Sequence, residues 1–370
     1  MRFLFPDEEA GVSFARVDGL DVIRNFGDPG GEYRAAVQGV AVRYRGHRAQ
    51  WRFTGRQPVE MLSGVVSGRM PEPPSETMPE VLGGVATYHT VLTPKGKIVA
   101  DLRLWREDDD GPALRAEVPH AAAEALSAHL ARTLPPRLCR LEDLSEEVGM
   151  ISLCGPDASR LISSALLGLR LEAGELDGLP EGGYRVLAPP DGDRVLVLAN
   201  GDLAVPSFDI VAERPVLRSA WRRATEAGAV RAGRDTWETL RVEAGRPSFS
   251  GELADDVIPV EAGITDRAID HTKGCYTGQE VIVRIRDRGR VNRHLRRLRL
   301  DVGADLPEQG TELYREKERP VGAVTTAVDS PREGKVALAY VRREVEPGQT
   351  VNVGSPEGPR ARVETLEGED

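Results

Sequence analysis

The sequence concentrates its most reactive side chains in one segment, His271–Arg290 (HTKGCYTGQEVIVRIRDRGR). Thr277 and Glu280 stand three residues apart directly before an apolar run, so Thr277 is predicted to be the N-cap of a short helix. Cys275 then lies just before a helix N-terminus and close to Lys273, and both features favour a thiolate over a thiol. We therefore expect a partly exposed Cys275, more acidic than the other cysteines. Such a thiol suits transient thiol chemistry, or ligation of a metal or cluster shared with a partner.

The other cysteines and the histidines do not form a metal-binding pattern. Cys139 and Cys154 lie in or beside apolar stretches, and no two cysteines form a CxxC pair. Zinc and iron–sulfur sites usually need closely spaced ligands, so no metal site held by this chain alone is expected. Three scattered cysteines also make a disulfide framework improbable, which fits reduced thiols in an intracellular protein.

Composition and charge exclude several classes of protein. The chain has 370 residues, which predicts two or three domains, and its 40% hydrophobic and 29% charged residues are typical of a globular protein. No apolar run approaches the ~18 residues of a membrane span. A net charge of −10 argues against general affinity for nucleic acid. The first residues lack the apolar core of a secretory signal, so a cytoplasmic location is expected.

One segment is strongly basic although the chain as a whole is acidic. Arg284–Arg299 carries eight arginines against one acid, Asp287. The simpler interpretation is a solvated helix end and strand whose arginines pair with acids elsewhere, because charge runs are usually solvated faces. The alternative is a docking surface for a polyanionic tail or an acidic partner protein.

The octapeptide KGCYTGQE at 273–280 resembles the signature of the YgfZ family, folate-binding relatives of the glycine cleavage T-protein. Two further segments are similar to that family: LTPKGKIVADL at 92–102, and the stretch 240–270. The resemblance covers residues 34–364. It implies a tetrahydrofolate-binding accessory protein that supports iron–sulfur cluster assembly or repair, with assembly factors or client proteins as partners. The alternative it implies is a tetrahydrofolate-dependent aminomethyl or methyl transferase, or a demethylase. A pure interaction module that uses the arginine-rich surface is a third hypothesis, but it leaves the cysteine unexplained.

A folate site needs a carboxylate for the pterin edge, an aromatic surface and a cation for the anionic tail. In the T-protein relatives a Gly-aromatic-Glu step supplies that carboxylate. Asp209, in Ser207-Phe208-Asp209, stands at the similar place with a shorter side chain and without the glycine; a strand-end turn residue is the alternative. Arg241 and Glu243 are two apart on one predicted helix and so face different ways, and the resemblance favours Arg241 in the site. The cofactor-binding residues implied are Asp209, Arg241, Tyr88, Lys273, Tyr276 and Gln279.

Asp101 is the second predicted catalytic residue, beside Cys275, and it belongs to the transferase alternative. The T-protein relatives use an aspartate near the Lys-Gly-strand segment to activate the folate nitrogen that attacks the aminomethyl group. Their pattern has two adjacent aspartates, and here the pair is Ala100-Asp101. Asp101 is therefore either a general base or a structural carboxylate paired with a nearby lysine or arginine.

These residues must be held by an α+β fold, T-protein-like and multi-domain. A strand, a glycine turn and a helix whose end carries Leu and then Gly occur twice, up to Gly64 and up to Gly168, which predicts duplicated units in one sheet. The stretch 70–78 is predicted to be a loop, 94–97 a hairpin turn, and 120–134 an amphipathic helix. Short, evenly spaced strands after Asn292 predict a small C-terminal β-barrel. The predicted division is an N-terminal extension (1–33), a folate-binding region of two interleaved subdomains (34–288), and the barrel domain (289–370).

Overall fold

A computed structural model describes residues 11–106, 111–166, 171, 174–187, 194–315 and 319–366. The strands within these residues are β1 (Ser13–Val17), β2 (Leu20–Asn25), β3 (Ala41–Tyr44), β4 (Arg48–Thr54), β5 (Ser75–Met78), β6 (Val81–Val85), β7 (Thr87–Leu92), β8 (Ile98–Trp105), β9 (Leu114–Pro119), β10 (Arg140–Asp143), β11 (Val148–Cys154), β12 (Gly183–Leu187), β13 (Val195–Asn200), β14 (Ser207–Glu213), β15 (Val230–Arg231), β16 (Arg293–Leu300), β17 (Glu312–Tyr314), β18 (Gly322–Ser330), β19 (Gly334–Arg342), β20 (Thr350–Val353) and β21 (Arg360–Glu364). The helices are α1 (Pro29–Gln38), α2 (Pro58–Ser63), α3 (His120–Thr133), α4 (Ala158–Leu161), α5 (Arg214–Glu226), α6 (Arg234–Glu243), α7 (Thr265–Ala268) and α8 (Gln279–Arg288). A π-helical turn, Ile162–Leu166, continues α4.

Two largely antiparallel sheets with helices packed on them form the main body, so the α+β prediction is confirmed. The larger sheet has eight strands in the order β15-β3-β11-β14-β13-β12-β6-β5, and the smaller has five in the order β10-β4-β9-β8-β7. Helix α3, predicted from its periodicity, turns Ala122, Leu126 and Leu130 into the core of the smaller sheet. Their spacing of four residues places them on one face of the helix.

The duplicated units are present, but they do not share a sheet as predicted. Strand β4 followed by α2 belongs to the five-stranded sheet, whereas β11 followed by α4 belongs to the eight-stranded sheet. Gly55 and Gly155 follow the two strands with φ angles of 129° and 122°. A Cβ at either glycine would lie within 2.5 Å of a carbonyl oxygen of a neighbouring segment. A glycine that no other residue type can replace without strain therefore follows both strands, which explains why the two units have similar sequence patterns.

The hairpin of β7 and β8 positions two of the predicted site residues. Its turn at 94–97 is confirmed, with Gly96 in the left-handed region at φ 73°. Across the pair, Thr90 lies opposite Asp101 and Tyr88 lies opposite Arg103. The predicted loop at 70–78 is corrected at its end, where β5 pairs with β6 because the proline-free stretch after Pro74 can extend the sheet edge.

The capping-box prediction at Thr277 is wrong. Helix α8 begins at Gln279, and its N-cap is Gly278 at φ 82°. The amide of Thr277 instead donates to the carbonyl of Gly64, and Glu280 forms an ion pair with Arg284 within the helix. The tertiary contact places Thr277 outside the capping position.

The C-terminal barrel is confirmed as a closed barrel with the strand order β16-β19-β18-β17-β20-β21. Its apolar interior alternates with outward polar positions, for example Leu298 and Leu300 along β16. Five of the eight arginines in 284–299 form ion pairs with carboxylates of described residues: Arg284, Arg286, Arg293, Arg297 and Arg299. These pairs favour the solvated, paired interpretation of the arginine run over a docking surface.

The first described residues are structured rather than a plain extension. Strands β1 and β2 form a hairpin, and the predicted boundary at residue 33 falls inside α1, which Asp28 caps through its side chain. Residues 1–10 of the predicted extension and 367–370 of the predicted barrel domain lie outside the described residues. Among the described helices, none combines the length and apolar character needed to span a bilayer.

Candidate functional site

A central cavity of ≈ 110 Å³ lies where the two sheets, helix α6 and the β1–β2 hairpin meet. Strand alternation explains how the smaller sheet supplies charged side chains to it. Asp101 and Arg103 stand two apart on β8 and line the cavity, whereas Leu102 and Leu104 point into the core of that sheet. A strand that is apolar on one face and charged on the other thus builds one wall.

Asp101 has an unpaired carboxylate oxygen at this wall. The residue is 6% exposed, its Oδ2 accepts a hydrogen bond from Tyr88 Oη at 3.1 Å, and its buried Oδ1 has no partner among the described residues. Burial raises the pKa of Asp101, and the Arg48 cation only partly offsets this. Burial, and then Asp101 itself, raises the pKa of Tyr88 well above 10, so the phenol stays protonated and donates. A buried unpaired acceptor costs about 1–3 kcal/mol, so Oδ1 is suited to a donor from a bound molecule.

A buried network of arginines and carboxylates fixes the wall behind Asp101. Arg103 contacts Glu117 at 3.1 Å, Asp202 at 3.0 Å and Asp209 at 3.3 Å, and its own side chain is 3% exposed. Burial alone would raise the pKa of Asp202. The nearby Arg103 and Arg267 cations have the larger effect and hold the pKa of this carboxyl well below its usual range. The same balance, with Arg48 and Arg103 as the cations, lowers the pKa of Glu117. The carboxylates of Glu117 and Asp202 therefore serve as fixed counter-ions rather than as proton acceptors.

Asp209, the predicted pterin-binding carboxylate, is not open to the cavity. It is 1% exposed, and its oxygens accept hydrogen bonds from Ser152 at 2.5 Å and Asn200 at 2.7 Å. Arg45 and Arg103 lie at 3.5 Å and 3.3 Å from the same carboxylate. Because both oxygens are occupied inside the protein, the structure gives Asp209 the role of a counter-ion for two arginines.

Arg241 reaches the cavity from α6 but is already paired. Its guanidinium donates to Glu238 at 2.7 Å and to Glu252 at 2.9 Å, while its Nε is buried without a described partner. Glu243 points elsewhere, toward Tyr33 at 2.6 Å and Arg332 at 2.5 Å, which confirms that the two residues face different ways. Asp235 lies in the first turn of this helix, whose N-cap is Gly233.

The segment around Cys275 lies apart from the cavity lining. Cys275 is exposed, and Lys273 Nζ donates to the backbone carbonyls of Val66 at 2.7 Å and Gly68 at 2.9 Å. Tyr276 is buried in an apolar cluster, and Gln279 begins α8. Cys275 is therefore not among the residues that line the central cavity, and of the predicted site residues the structure brings together Asp101, Tyr88 and Arg241.

A second hollow of ≈ 440 Å³ lies between α8 and the barrel, with Ile282 and Ile285 as its floor and His271, Arg286 and Arg290 at its rim. It is larger than the central cavity, yet its rim charges are exposed and none of the described residues that line it is a carboxylate. Within the described ranges no three His, Cys, Asp or Glu side chains are arranged to hold a metal ion. The central cavity is the better candidate site, because its charged groups converge and are buried.

Sequence reasoning missed most of the charged lining. Arg43 and Arg45 enter from β3 and the residue after it, and Trp237 of α6 lies against both, with ring centroids 5.0 Å and 4.1 Å from their guanidinium carbons. The available signal was the alternation of arginine with Val42 and Tyr44 in a short strand. An arginine inside an otherwise apolar strand indicates either an edge or a buried polar site.

Two known protein domains match most of the chain. The chain matches the GCVT N-terminal domain over residues 8–273 and the glycine cleavage T-protein C-terminal barrel domain over residues 293–367. The aminomethyltransferase of Rubrobacter xylanophilus is 32% identical over 267 residues, which are 72% of this chain and 68% of that protein. The aminomethyltransferase of Corynebacterium jeikeium is 27% identical over 91% of this chain and 87% of its own length.

A solved structure extends the likeness to the fold. The crystal structure of glycine cleavage system aminomethyltransferase T from Bartonella henselae matches with a TM-score of 0.79, covering 96% of this chain and 94% of that one at 18% identity. The predicted T-protein-like core with a C-terminal barrel is thereby confirmed. The chain belongs to the glycine cleavage T-protein family, whose aminomethyltransferases use tetrahydrofolate.

Proposed function

We propose that this protein binds tetrahydrofolate in the central cavity and transfers a one-carbon unit, as an enzyme of the aminomethyltransferase type. The observation that carries the proposal is the buried Asp101 carboxylate, whose Oδ1 has no described partner while Tyr88 holds Oδ2. Relatives named aminomethyltransferase support the reaction class. This is the alternative that the sequence left open beside an accessory role.

The lining suits a reduced folate in its types of side chain. Tyr88, Trp237 and Phe249 offer aromatic surface, and several arginines offer cations for an anionic tail. The carboxylate available for a donor on the ligand is that of Asp101, since Asp209 is saturated inside the protein. Tetrahydrofolate supplies an amine nitrogen that accepts the one-carbon unit.

In the proposed reaction Asp101 accepts the proton and Tyr88 orients Asp101. Ionised Asp101 accepts a proton at Oδ1, and the Tyr88 hydroxyl keeps the carboxylate oriented through Oδ2. Burial raises the pKa of Asp101, which makes its carboxylate a stronger base, and the Arg48 cation opposes part of this rise. The surrounding ion pairs hold these groups in place without taking part in the transfer.

The experiment compares wild type with Asp101→Asn in the formation of 5,10-methylenetetrahydrofolate from tetrahydrofolate and an aminomethyl donor, a transfer that releases ammonia. Removal of a general base typically costs about 10²–10⁴ in rate, so we expect at least a hundredfold loss of kcat with binding of tetrahydrofolate largely kept. Asp329→Asn, an exposed position on β18, is the matched control and should behave as wild type. A variant at Asp101 that retains full activity would contradict the proposal, as would wild type that binds no tetrahydrofolate.

The iron–sulfur accessory role remains a second candidate, because one observation favours it. Cys275 is the exposed cysteine, within the octapeptide that resembles the YgfZ signature, and the transfer chemistry does not use it. Cys275→Ser tested in cells separates the two functions. Loss of iron–sulfur enzyme activity with one-carbon transfer intact would support the accessory role, and unchanged iron–sulfur enzyme activity would exclude it.

A further inference from the structure

Arg43 forms a cationic end of the cavity that the proposed proton chemistry leaves unused. The residue is 6% exposed, and its buried Nη1 atom has no hydrogen-bond partner in the described part of the chain. Within the described ranges it forms no ion pair, in contrast to Arg103 and Arg241, which hold carboxylates at 3.3 Å or less. A buried charge without a partner is costly, so this position favours an anion from outside the chain.

The guanidinium is held in place rather than free to swing out. Its carbon lies 5.0 Å from the centroid of the Trp237 ring, which Arg45 also approaches at 4.1 Å. The backbone is fixed as well, because Arg43 pairs with Ser152 in the ladder between β3 and β11. A guanidinium positioned on an aromatic ring retains the planar fork of donors that matches a carboxylate.

The surroundings are positive on several sides. Burial lowers the pKa of His47 well below 6.5, and Arg43, Arg45, Arg48 and Arg234 lower it further, so the imidazole is neutral. The acid that acts on Arg43 is Glu238, which is already bound to Arg241 at 2.7 Å.

We propose that Arg43 binds a carboxylate of the glutamyl tail of the folate ligand at this end of the cavity. The inference rests on the proposed function, which supplies the ligand. Within a reduced folate the tail carries the carboxylates, whereas the proposed partner of the pterin is Asp101, which lines the same cavity. Arg43 is thus a binding residue that distinguishes a folate from a pterin without a tail.

The test measures binding of tetrahydrofolate and of 6-methyltetrahydropterin, which lacks the tail, to wild type, Arg43→Met and Arg43→Lys. Methionine keeps the length and removes the charge, and Arg52→Met, on the exposed face of β4, is the matched control. Losing one charge-assisted hydrogen bond corresponds to about a tenfold to hundredfold weaker affinity, expected for tetrahydrofolate with Arg43→Met. Affinity for 6-methyltetrahydropterin should stay at the wild-type value, and Arg43→Lys should recover part of the lost affinity.

Competition on wild type gives an independent readout should Arg43→Met fold poorly. We expect p-aminobenzoylglutamate to displace tetrahydrofolate and p-aminobenzamide not to do so. Equal losses for both pterin ligands, no loss for either, or equal competition by the two benzoyl compounds would overturn the inference while leaving tetrahydrofolate binding itself intact. Wild type that binds neither pterin ligand would overturn the inference and the proposed function together.

Discussion

Removal of Arg103 tests whether the buried ion network holds the site together. Arg103 is shared by three carboxylates at 3.0–3.3 Å, those of the buried Glu117 and Asp209 and of the partly buried Asp202. Breaking a buried ion pair by removing one partner typically costs about 3–5 kcal/mol. Each carboxylate keeps a second cation: Arg48, Arg267 and Arg45, respectively. We therefore expect Arg103→Met to lower the free energy of unfolding by about 3 kcal/mol, the low end of that range.

The pH dependence of this loss identifies its cause. Glu117 and Asp202 have folded pKa values below their usual ones, so the stability they contribute is present above the unfolded pKa of about 4 and is lost as the pH falls through the lower folded pKa. Without Arg103 these folded pKa values rise, and protonation in mild acid removes the uncompensated charge. The difference between wild type and variant should consequently be full at pH 7 and narrow below about pH 4.

Urea unfolding, followed by tryptophan fluorescence at pH 7 and below about pH 4, measures the difference in the free energy of unfolding between wild type and Arg103→Met. Arg52→Met is the control, because that side chain is exposed on β4, and it should change the free energy of unfolding by no more than about 0.5 kcal/mol. A loss below about 1 kcal/mol for Arg103→Met, within the range of an exposed pair, would refute the reasoning. A deficit that is the same at both pH values would refute the electrostatic cause.

Three further predictions follow from single contacts. Gly278→Ala should destabilise the protein by about 2 kcal/mol, because φ is 82° and a Cβ would lie 2.6 Å from the carbonyl oxygen of Thr93. Gly274→Ala should be neutral, because there is open space around that residue. Thermal melting of the two variants compares these outcomes. A thiol reagent should modify Cys275 quickly in native protein and the other two cysteines only after unfolding, since burial raises their pKa values to about 11 and about 12; three fast thiols would contradict this. Glu252→Gln should cost about 3 kcal/mol, because this buried carboxylate ties Arg241 to two threonines of the barrel, and urea unfolding that matches wild type would rule out that link.

Local patterns predicted much of the fold. The hairpin of β7 and β8, helix α3 and the barrel follow from turn residues, apolar spacing and strand length, all of which act within a few residues. Asp101 was singled out by the resemblance to the T-protein relatives, and the Lys-Gly turn before it fixes where its strand begins. These elements are determined by short stretches of sequence, and the structure has them close to the predicted positions.

The roles of several site residues depend on contacts with residues far away in the sequence, which local patterns do not reveal. Asp209 is neutralised by Arg103, 106 residues away, so no local pattern distinguishes a pterin-binding carboxylate from a counter-ion. Thr277 lost its capping role because its amide binds the distant carbonyl of Gly64. Arg43 was missed for the same reason, since only the packing of α6 on β3 brings Trp237 against it.

A crystal structure of the protein with tetrahydrofolate tests the central claim most directly. The account predicts the pterin in the central cavity, with a donor of the ligand within hydrogen-bond distance of Asp101 Oδ1 and the ring near Tyr88. Ligand bound instead in the hollow between α8 and the barrel, or against Cys275 with the cavity unchanged, would contradict the account.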